Sequence, residues 1–341
     1  MSILRPIAEP DFDAMFDMAS DYAVVQGTGT WPWPAQPQFT RRRFSTPEVL
    51  AGKVLAIQVD GAFAGTIGLV KGELGYMLAR KYWGRGLASR AVAEIVGQGF
   101  RQETYAQIDA SVWADNPASA RVLLKNGFEH VRSDMDYGAA RGVIGPIDRF
   151  RLSRARWAAT APVEIMTARL HMQPIQRSDA AELSELMNDR AVSKMMSSIA
   201  FPFTKTKAEQ WISSRLWDGT PNLAVAVRLH TGGLVGVVGI GGTPLTFGFG
   251  IGAPHRGLGF ATEACAAFLD EMTARFEIDA VNAGAYADNH ASHRVLTKLG
   301  FEKTGEIMDK SPARLEPSLW FEYRRLAAQH RGKGGDRNEI S

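Results

Sequence analysis

Two short glycine-rich stretches hold the residues best suited to chemistry. One is Trp83-Gly84-Arg85-Gly86-Leu87-Ala88-Ser89, the other Arg256-Gly257-Leu258-Gly259-Phe260-Ala261-Thr262. Each lies where a strand pattern gives way to a helix pattern. Glycines there let the backbone approach a ligand closely, and the free N–H groups of a helix start favour a phosphate or pyrophosphate. A tight connection that binds nothing has the same composition. Two copies, each followed by an Asn-led helix after the same interval (116 − 86 = 289 − 259 = 30 residues), favour the binding reading. Neither stretch completes G-x-G-x-x-G, because Ser89 and Thr262 hold the last position, and neither follows the first strand of its domain. No Gly-Lys-Ser/Thr is present, so a Walker loop is excluded as well.

The recurrence extends along the chain. Pro6 and Asp11 match Pro174 and Asp179 at an offset of 174 − 6 = 168. Gly86, Asn116 and Gly127 match Gly259, Asn289 and Gly300 at an offset of 259 − 86 = 173. The five added residues are expected around the glycine-rich stretch Gly232 to Gly242. ADNPASARVLLKNGFE and ADNHASHRVLTKLGFE agree at 12 of 16 positions. A period this long is a domain, not a solenoid unit. Domains are expected at 1–155 and 168–326, joined through WAATAPVEIMT, with a tail at 327–341 that lacks periodicity and frays.

The elements that must position these residues follow from pattern. Asp11 is placed to cap a helix carrying Phe12, Met15, Phe16 and Ala19. VLAIQVDGAFAGTIGLV reads as two strands turning at Asp60-Gly61. GELGYML is a third strand, LASRAVAEIVGQGF a helix, YAQIDASVW a strand, NPASARVLLKNGF a helix ended by Gly127, and DRFRLSR a last strand. The second copy repeats this order. The fold class is α/β (α+β), present twice, each copy a mixed, mostly antiparallel central sheet flanked by helices.

Composition excludes several classes. The 341 residues are 45% hydrophobic and 22% charged, as in ordinary globular proteins. A net charge of +3 provides no strong field for nucleic acid or membrane. The stretch MSILRPIAEPDFD meets acids at Glu9, Asp11 and Asp13 and reads as no signal region. No apolar run approaches the roughly 20 residues of a membrane helix. One cysteine, Cys265, excludes an internal disulfide and a cysteine-rich zinc site, and reads as a buried small residue in a cytoplasmic protein. Arg41-Arg42-Arg43 reads as a solvated charge run. Trp31 and Trp33 divide evenly between core packing and ligand contact. His290 and His293 lack a third ligand, so no metal is expected.

The strand–loop–helix with R/Q-x-x-G-x-G/A, followed by an Asn-led helix ending in Gly-Phe, resembles the GNAT N-acetyltransferases. Arg256 to Ala261 match that loop fully, whereas the first copy carries Trp83 at its first position. Pro202-Phe203-Thr204 and Ala208-Glu209-Gln210-Trp211-Ile212, with the N-x-x-S helices, resemble the subgroup that acetylates ribosomal-protein N-termini. The resemblance implies an acetyl-CoA-dependent N-acetyltransferase acting on a primary amine, of a protein N-terminus or a small molecule, by direct attack. Its alternative is that one or both copies are CoA-binding modules without catalysis, serving stability or sensing.

On that resemblance the pyrophosphate lies on the amides of Arg85, Gly86, Ala88 and Ser89, or of Leu258, Gly259, Ala261 and Thr262, with Arg256 and Gly257 completing the second loop. Pantetheine runs along Met77-Leu78 or Gly250-Ile251. Asn116 and Asn289 combine helix capping with cofactor contact. Glu73 is the implied base, and Thr246 stands at its place in the second copy, which leaves water or the acids Glu316 and Glu322 there. The tyrosine many relatives use as thiolate acid is replaced by Leu123 and Leu296, which makes Ser119 and Ser292 the implied donors. The first copy is therefore the expected catalyst, although the second has the better loop match.

Overall fold

Asp60 and Gly61 adopt φ of 49° and 81°, the left-handed pair that a two-residue hairpin requires. That turn sits near the start of the first of two sheets in the computed structural model, which describes residues 3–102 and 105–326. The expected fraying tail lies outside the described residues. The chain divides into two units between Ala161 and Pro162.

The first unit contains β1 (Leu4–Pro6), α1 (Phe12–Ala19), α2 (Tyr22–Val25), α3 (Pro37–Arg43), α4 (Pro47–Leu50), β2 (Val54–Val59), β3 (Ala62–Val70) and β4 (Glu73–Leu78). It continues through α5 (Leu87–Gln102), β5 (Gln107–Trp113), α6 (Pro117–Lys125), β6 (Glu129–Gly138), β7 (Val143–Ser153) and α7 (Arg154–Thr160). Its strands lie in the order β1-β2-β3-β4-β5-β7-β6. All neighbours are antiparallel except β4 and β5, which run parallel and pair only at Glu73↔Asp109 and Leu74↔Ala110. Beyond Leu74 the two strands part. A parallel pair abandoned after two residues leaves backbone groups of both strands free to meet a ligand.

The sheet holds the glycine loop through α5. Leu87, Ala91, Val92, Ile95, Val96 and Phe100 recur at helical spacing and are buried. Gly99 allows the close approach: a Cβ there would stand 2.3 Å from Leu69 Cδ2 on β3.

The second unit adds one strand at the edge. It runs β8 (Ile165–Met166), β9 (Leu170–Pro174), α8 (Ala180–Met187), α9 (Arg190–Ser193), α10 (Lys205–Ser213), β10 (Leu223–Leu229), β11 (Leu234–Gly241) and β12 (Thr246–Ile251). Then follow α11 (Phe260–Phe276), β13 (Ala280–Tyr286), α12 (His290–Lys298), β14 (Glu302–Asp309) and β15 (Ser318–Leu326). The order is β14-β15-β13-β12-β11-β10-β9-β8, and β12 parts from β13 after Thr246↔Asn282 and Phe247↔Ala283. Ala264, Cys265, Phe268, Leu269 and Met272 of α11 fill the core.

Four expectations need correction. The segment 157–167 is no free linker: α7 packs Trp157 on Phe100, with ring centroids 5.1 Å apart, and Ile165–Met166 forms β8. Gly127 is followed by a hairpin, β6 and β7, rather than by one strand. Asp11 does not cap α1 with its side chain. Its carboxylate accepts from Ala8 N at 2.9 Å and holds the Arg5 guanidinium in a fork at 2.7 and 2.6 Å. Finally, the five added residues are spread out. Ile57 and Gly65 pair in the first sheet and Val227 and Gly236 in the second, offsets of 227 − 57 = 170 and 236 − 65 = 171. Leu78 and Ile251, which face Gly65 and Gly236, differ by 251 − 78 = 173. Two residues are therefore gained before β10, one in the β10–β11 turn and two in the β11–β12 turn.

Candidate functional site

The glycine loop of the first unit turns on Gly84 and Gly86, with φ of 74° and 73°. A Cβ at either glycine would meet nothing within 4 Å, so these positions face open space. The N–H groups of Arg85, Gly86, Ala88 and Ser89 meet no acceptor among the described residues, as expected of the first turn of α5 and the loop that leads into it. They edge a cleft of about 400 Å³ whose walls include Met77, Leu78, Trp83, Asn116 and Ser119. In the second unit Gly257 and Gly259 repeat the turn at φ of 75° and 82°. Gly250, Ile251, Arg256, Gly257, Gly259, Ala261, Thr262 and Asn289 line a cleft of about 600 Å³. Leu258 does not line it: its side chain is exposed and its carbonyl accepts from Arg169 at 2.9 Å.

Trp83 and Arg256 differ in type but hold the same point. Trp83 Nε1 donates to Leu78 O at 2.8 Å, and Arg256 Nε donates to Ile251 O at 3.3 Å. Each lashes its loop to the end of the preceding strand. The two loops are therefore anchored alike.

Asn116 and Asn289 are helix caps. Their Oδ1 atoms accept from Ser119 N and Ser292 N, each at 3.1 Å, while both residues still line the clefts. The caps fix the serines. Ser119 lines the loop cleft and also a second cavity of about 400 Å³ reached through the parted strands, as do Gly27, Thr28, Tyr76 and Met77. Glu73 lines that second cavity. Burial and the neighbouring Asp109 push its carboxyl above the usual range, and Arg149 and Arg151 oppose them. Asp109 is itself held by Arg151 Nε at 2.7 Å.

Tyr76 was not singled out in the sequence. Its phenol oxygen lies 2.7 Å from Ser119 Oγ, and either hydroxyl can be the donor. Burial raises the phenol to about 12, so Tyr76 holds its proton throughout the neutral range. Its signal was the contrast within GELGYML: the same position of the second copy is Phe249, which has no hydroxyl.

The second unit has the shape without these groups. Thr246, Phe249 and Ser292 line its cavity where Glu73, Tyr76 and Ser119 line the first. Trp320 covers Gly284, whose Cβ would fall 2.2 Å from the indole, at the place matched by Ser111. Glu316 and Glu322 do not line the cavity. His293 Nδ1 lies 3.0 Å from the Tyr323 hydroxyl, and among the described residues no group of three His, Cys, Asp or Glu could hold a metal.

A family described as the acetyltransferase (GNAT) domain matches residues 2–129 and again 169–302. The chain belongs to the GNAT acetyltransferase family. A relative, the uncharacterized N-acetyltransferase p20 of Bacillus licheniformis, is 32% identical over 88 residues, 26% of this chain and 49% of its own length. The prophage-derived uncharacterized N-acetyltransferase YokL of Bacillus subtilis is 28% identical over 141 residues, 40% of this chain and 78% of its own. The chain spans about half the length of the p20 relative and 33% of another, YoaA of Bacillus subtilis. Among solved structures, Mycobacterium smegmatis RimJ in complex with CoA-disulfide is 19% identical, covering 49% of this chain and 88% of that one, with a TM-score of 0.44. Spermidine N-acetyltransferase from Vibrio cholerae, in complex with CoA and spermine, is 16% identical over 47% and 96%, with a TM-score of 0.42.

Within this GNAT chain, Trp31 is both core and wall: it is buried beside Met15 and Val24 and lines the cavity that holds Glu73. Trp33 is 43% exposed and meets Tyr22 edge-on. The arginine run divides. Arg41 pairs with Glu9 at the surface, whereas Arg43 lines the cavity, so the run is not one solvated face. No described helix is long and apolar enough to cross a membrane.

Proposed function

We propose that the chain is an acetyl-CoA-dependent N-acetyltransferase of primary amines whose catalysis resides in the first copy. The observation that carries this is the meeting of Glu73 with the Tyr76–Ser119 hydroxyl pair in one cavity that adjoins the glycine-loop cleft. The residues present suit the cofactor: unpartnered N–H groups of Arg85, Gly86, Ala88 and Ser89 would receive the pyrophosphate, and the Met77–Leu78 edge, parted from β5, would receive the pantetheine amides. Bound acetyl-CoA supplies the acyl group as a thioester. Its acceptor is a protein N-terminus or a small amine, in a cytoplasmic setting.

The chain's own groups supply the rest. Glu73, with its carboxyl raised, accepts the proton that the amine sheds as the new C–N bond forms. The Tyr76–Ser119 pair gives a proton to the sulfur as the C–S bond breaks, and both groups exchange protons with solvent afterwards. The parted strands align amine and thioester across the gap, which lowers the entropic cost of their meeting.

The second copy fits the reading of a CoA-binding module without catalysis. Its loop is anchored in the same way, but Thr246 and Phe249 provide neither base nor phenol. Turnover of acetyl-CoA with a panel of amines, followed by thiol release, tests the proposal. Loss of turnover in Glu73→Gln, with acetyl-CoA binding intact, is the expected result. Unchanged turnover in Glu73→Gln together with inactivation by Gly259→Val would move catalysis to the second copy.

A further inference from the structure

The cavity that holds Glu73 contains two charged side chains among its lining residues, Glu73 and Arg43. Arg43 forms no ion pair among the described residues. Glu48 acts on it only at longer range, and burial lowers its affinity for its proton. One of its terminal nitrogens donates to Thr30 Oγ1 at 2.6 Å, while Nε is buried without a hydrogen-bond partner. The guanidinium lies over the rings of Trp31 and Phe39, 5.4 and 5.2 Å from their centroids. It is thus oriented by neutral neighbours; Nε lies buried out of a ligand's reach, and the second terminal nitrogen, which makes no hydrogen bond among the described residues, is the donor left to meet one. Guanidinium forks of this kind match carboxylate and phosphate oxygens in geometry and charge.

The second unit repeats the arrangement with a different arginine. Arg215 is the one charged side chain lining its cavity. It lies 4.3 Å from the Trp211 centroid, donates to Trp211 O and Ser214 Oγ, and forms no ion pair among the described residues. Two cavities that differ in their other polar groups thus share a half-buried arginine that forms no ion pair among the described residues.

We propose that the amine acetylated by the first copy also carries an oxyanion, a carboxylate or a phosphate, which Arg43 receives while the amine nitrogen faces Glu73. This rests on the first copy being an N-acetyltransferase and names its substrate class. An unpaired cation in the cavity selects against polyamines, whose second charge would be repelled, and against amides and esters, whose carbonyl oxygens accept a hydrogen bond but bring no opposite charge.

The test compares free α-amino acids with their amides, phosphoethanolamine with ethanolamine, and spermidine, on the full chain. The expected result is kcat/KM for the acidic member of at least one pair about 10- to 100-fold above its neutral partner, the range for a charge-assisted hydrogen bond. Which pair shows it identifies carboxylate or phosphate. Arg43→Gln should erase the preference with acetyl-CoA affinity unchanged, and Arg43→Lys should retain part of it. Preference for spermidine or for the neutral partners would overturn the proposal, as would a preference that survives Arg43→Gln.

Calorimetric titration of the same amines into CoA-saturated protein separates this from the proposed function. Binding of the acidic member that Arg43→Gln abolishes supports the oxyanion site even where no amine is acetylated. Equal affinity for acid and amide, or binding of neither, overturns it.

Discussion

Tyr76→Phe turns the proposed proton donor of the first copy into the residue found in the second. The substitution removes one oxygen and keeps the ring, so its structural cost is confined to the phenol's contacts with Ser119, 2.7 Å to Oγ and 3.3 Å to the backbone carbonyl. A net hydrogen bond contributes about 0.5–1.5 kcal/mol. In a unit of this size that lowers the melting temperature by about 2–4 °C per kcal/mol. The chemical cost is larger if the pair protonates the leaving sulfur. General acids contribute typically 10²–10⁴-fold, and a thiolate leaves more readily than an alkoxide or amide ion. The expected fall in single-turnover rate is therefore roughly 10- to 1,000-fold, with little change in KM for acetyl-CoA. Ser119→Ala should lose a similar amount. If the two hydroxyls act as one donor, the double variant should lose no more than the worse single one. Rapid-quench single turnover and thermal melting on the same samples separate the effects. A Tyr76→Phe protein that melts lower but transfers acetyl at the full rate would refute the reasoning and leave the hydroxyl pair with a packing role.

Further predictions concern base, loop and core. Glu73→Gln should lower kcat/KM by about 10²–10⁴-fold. In the wild type, activity needs the deprotonated carboxylate and should fall as pH drops through a value raised above that of an ordinary glutamate, because burial and Asp109 disfavour the charge. Asp109→Asn removes one of those causes and leaves Arg149 and Arg151 acting, so the acidic limb of the pH–rate profile should move to lower pH; a limb that stays in place would show that Asp109 does not set it. Gly86→Val and Gly259→Val place a side chain at φ of 73° and 82°, each weakening acetyl-CoA at its own loop more than about tenfold by calorimetry, and only Gly86→Val should abolish turnover. Glu271→Ala removes the carboxylate 2.8 Å from the buried Arg275 and should destabilise the second unit by about 3–5 kcal/mol in denaturant titrations.

Much of this was legible in the order of residues. Backbone-driven features depend on local identity: Asp60-Gly61 turns where φ must be positive twice, Asn116 and Asn289 cap because their side chains reach N–H groups three residues on, and the glycine loops open because glycine tolerates left-handed φ. A second copy of each motif raised these local signals above chance. The GNAT family and the paired α/β units follow from them.

Other features arose only once the elements had packed. Asp11 has the type and position of a cap, but Arg5 stands across from it after folding, and a bidentate pair outcompetes an N-terminal amide. Trp83 and Arg256 look unlike in sequence yet anchor their loops at the same point, because either can donate to the last carbonyl of the preceding strand. Tyr76 lies 43 residues from Ser119 along the chain, and no spacing rule links a strand to a helix at that distance. Arg43 sits in a run that solvation would claim, and the fold withdraws it from the run by turning it over Trp31 and Phe39 into the cavity. Periodicity and turn chemistry act over a few residues, so the sequence determines the elements and their loops. Which side chains share a cavity depends on where β4 parts from β5, a long-range event set by sheet pairing and helix packing together.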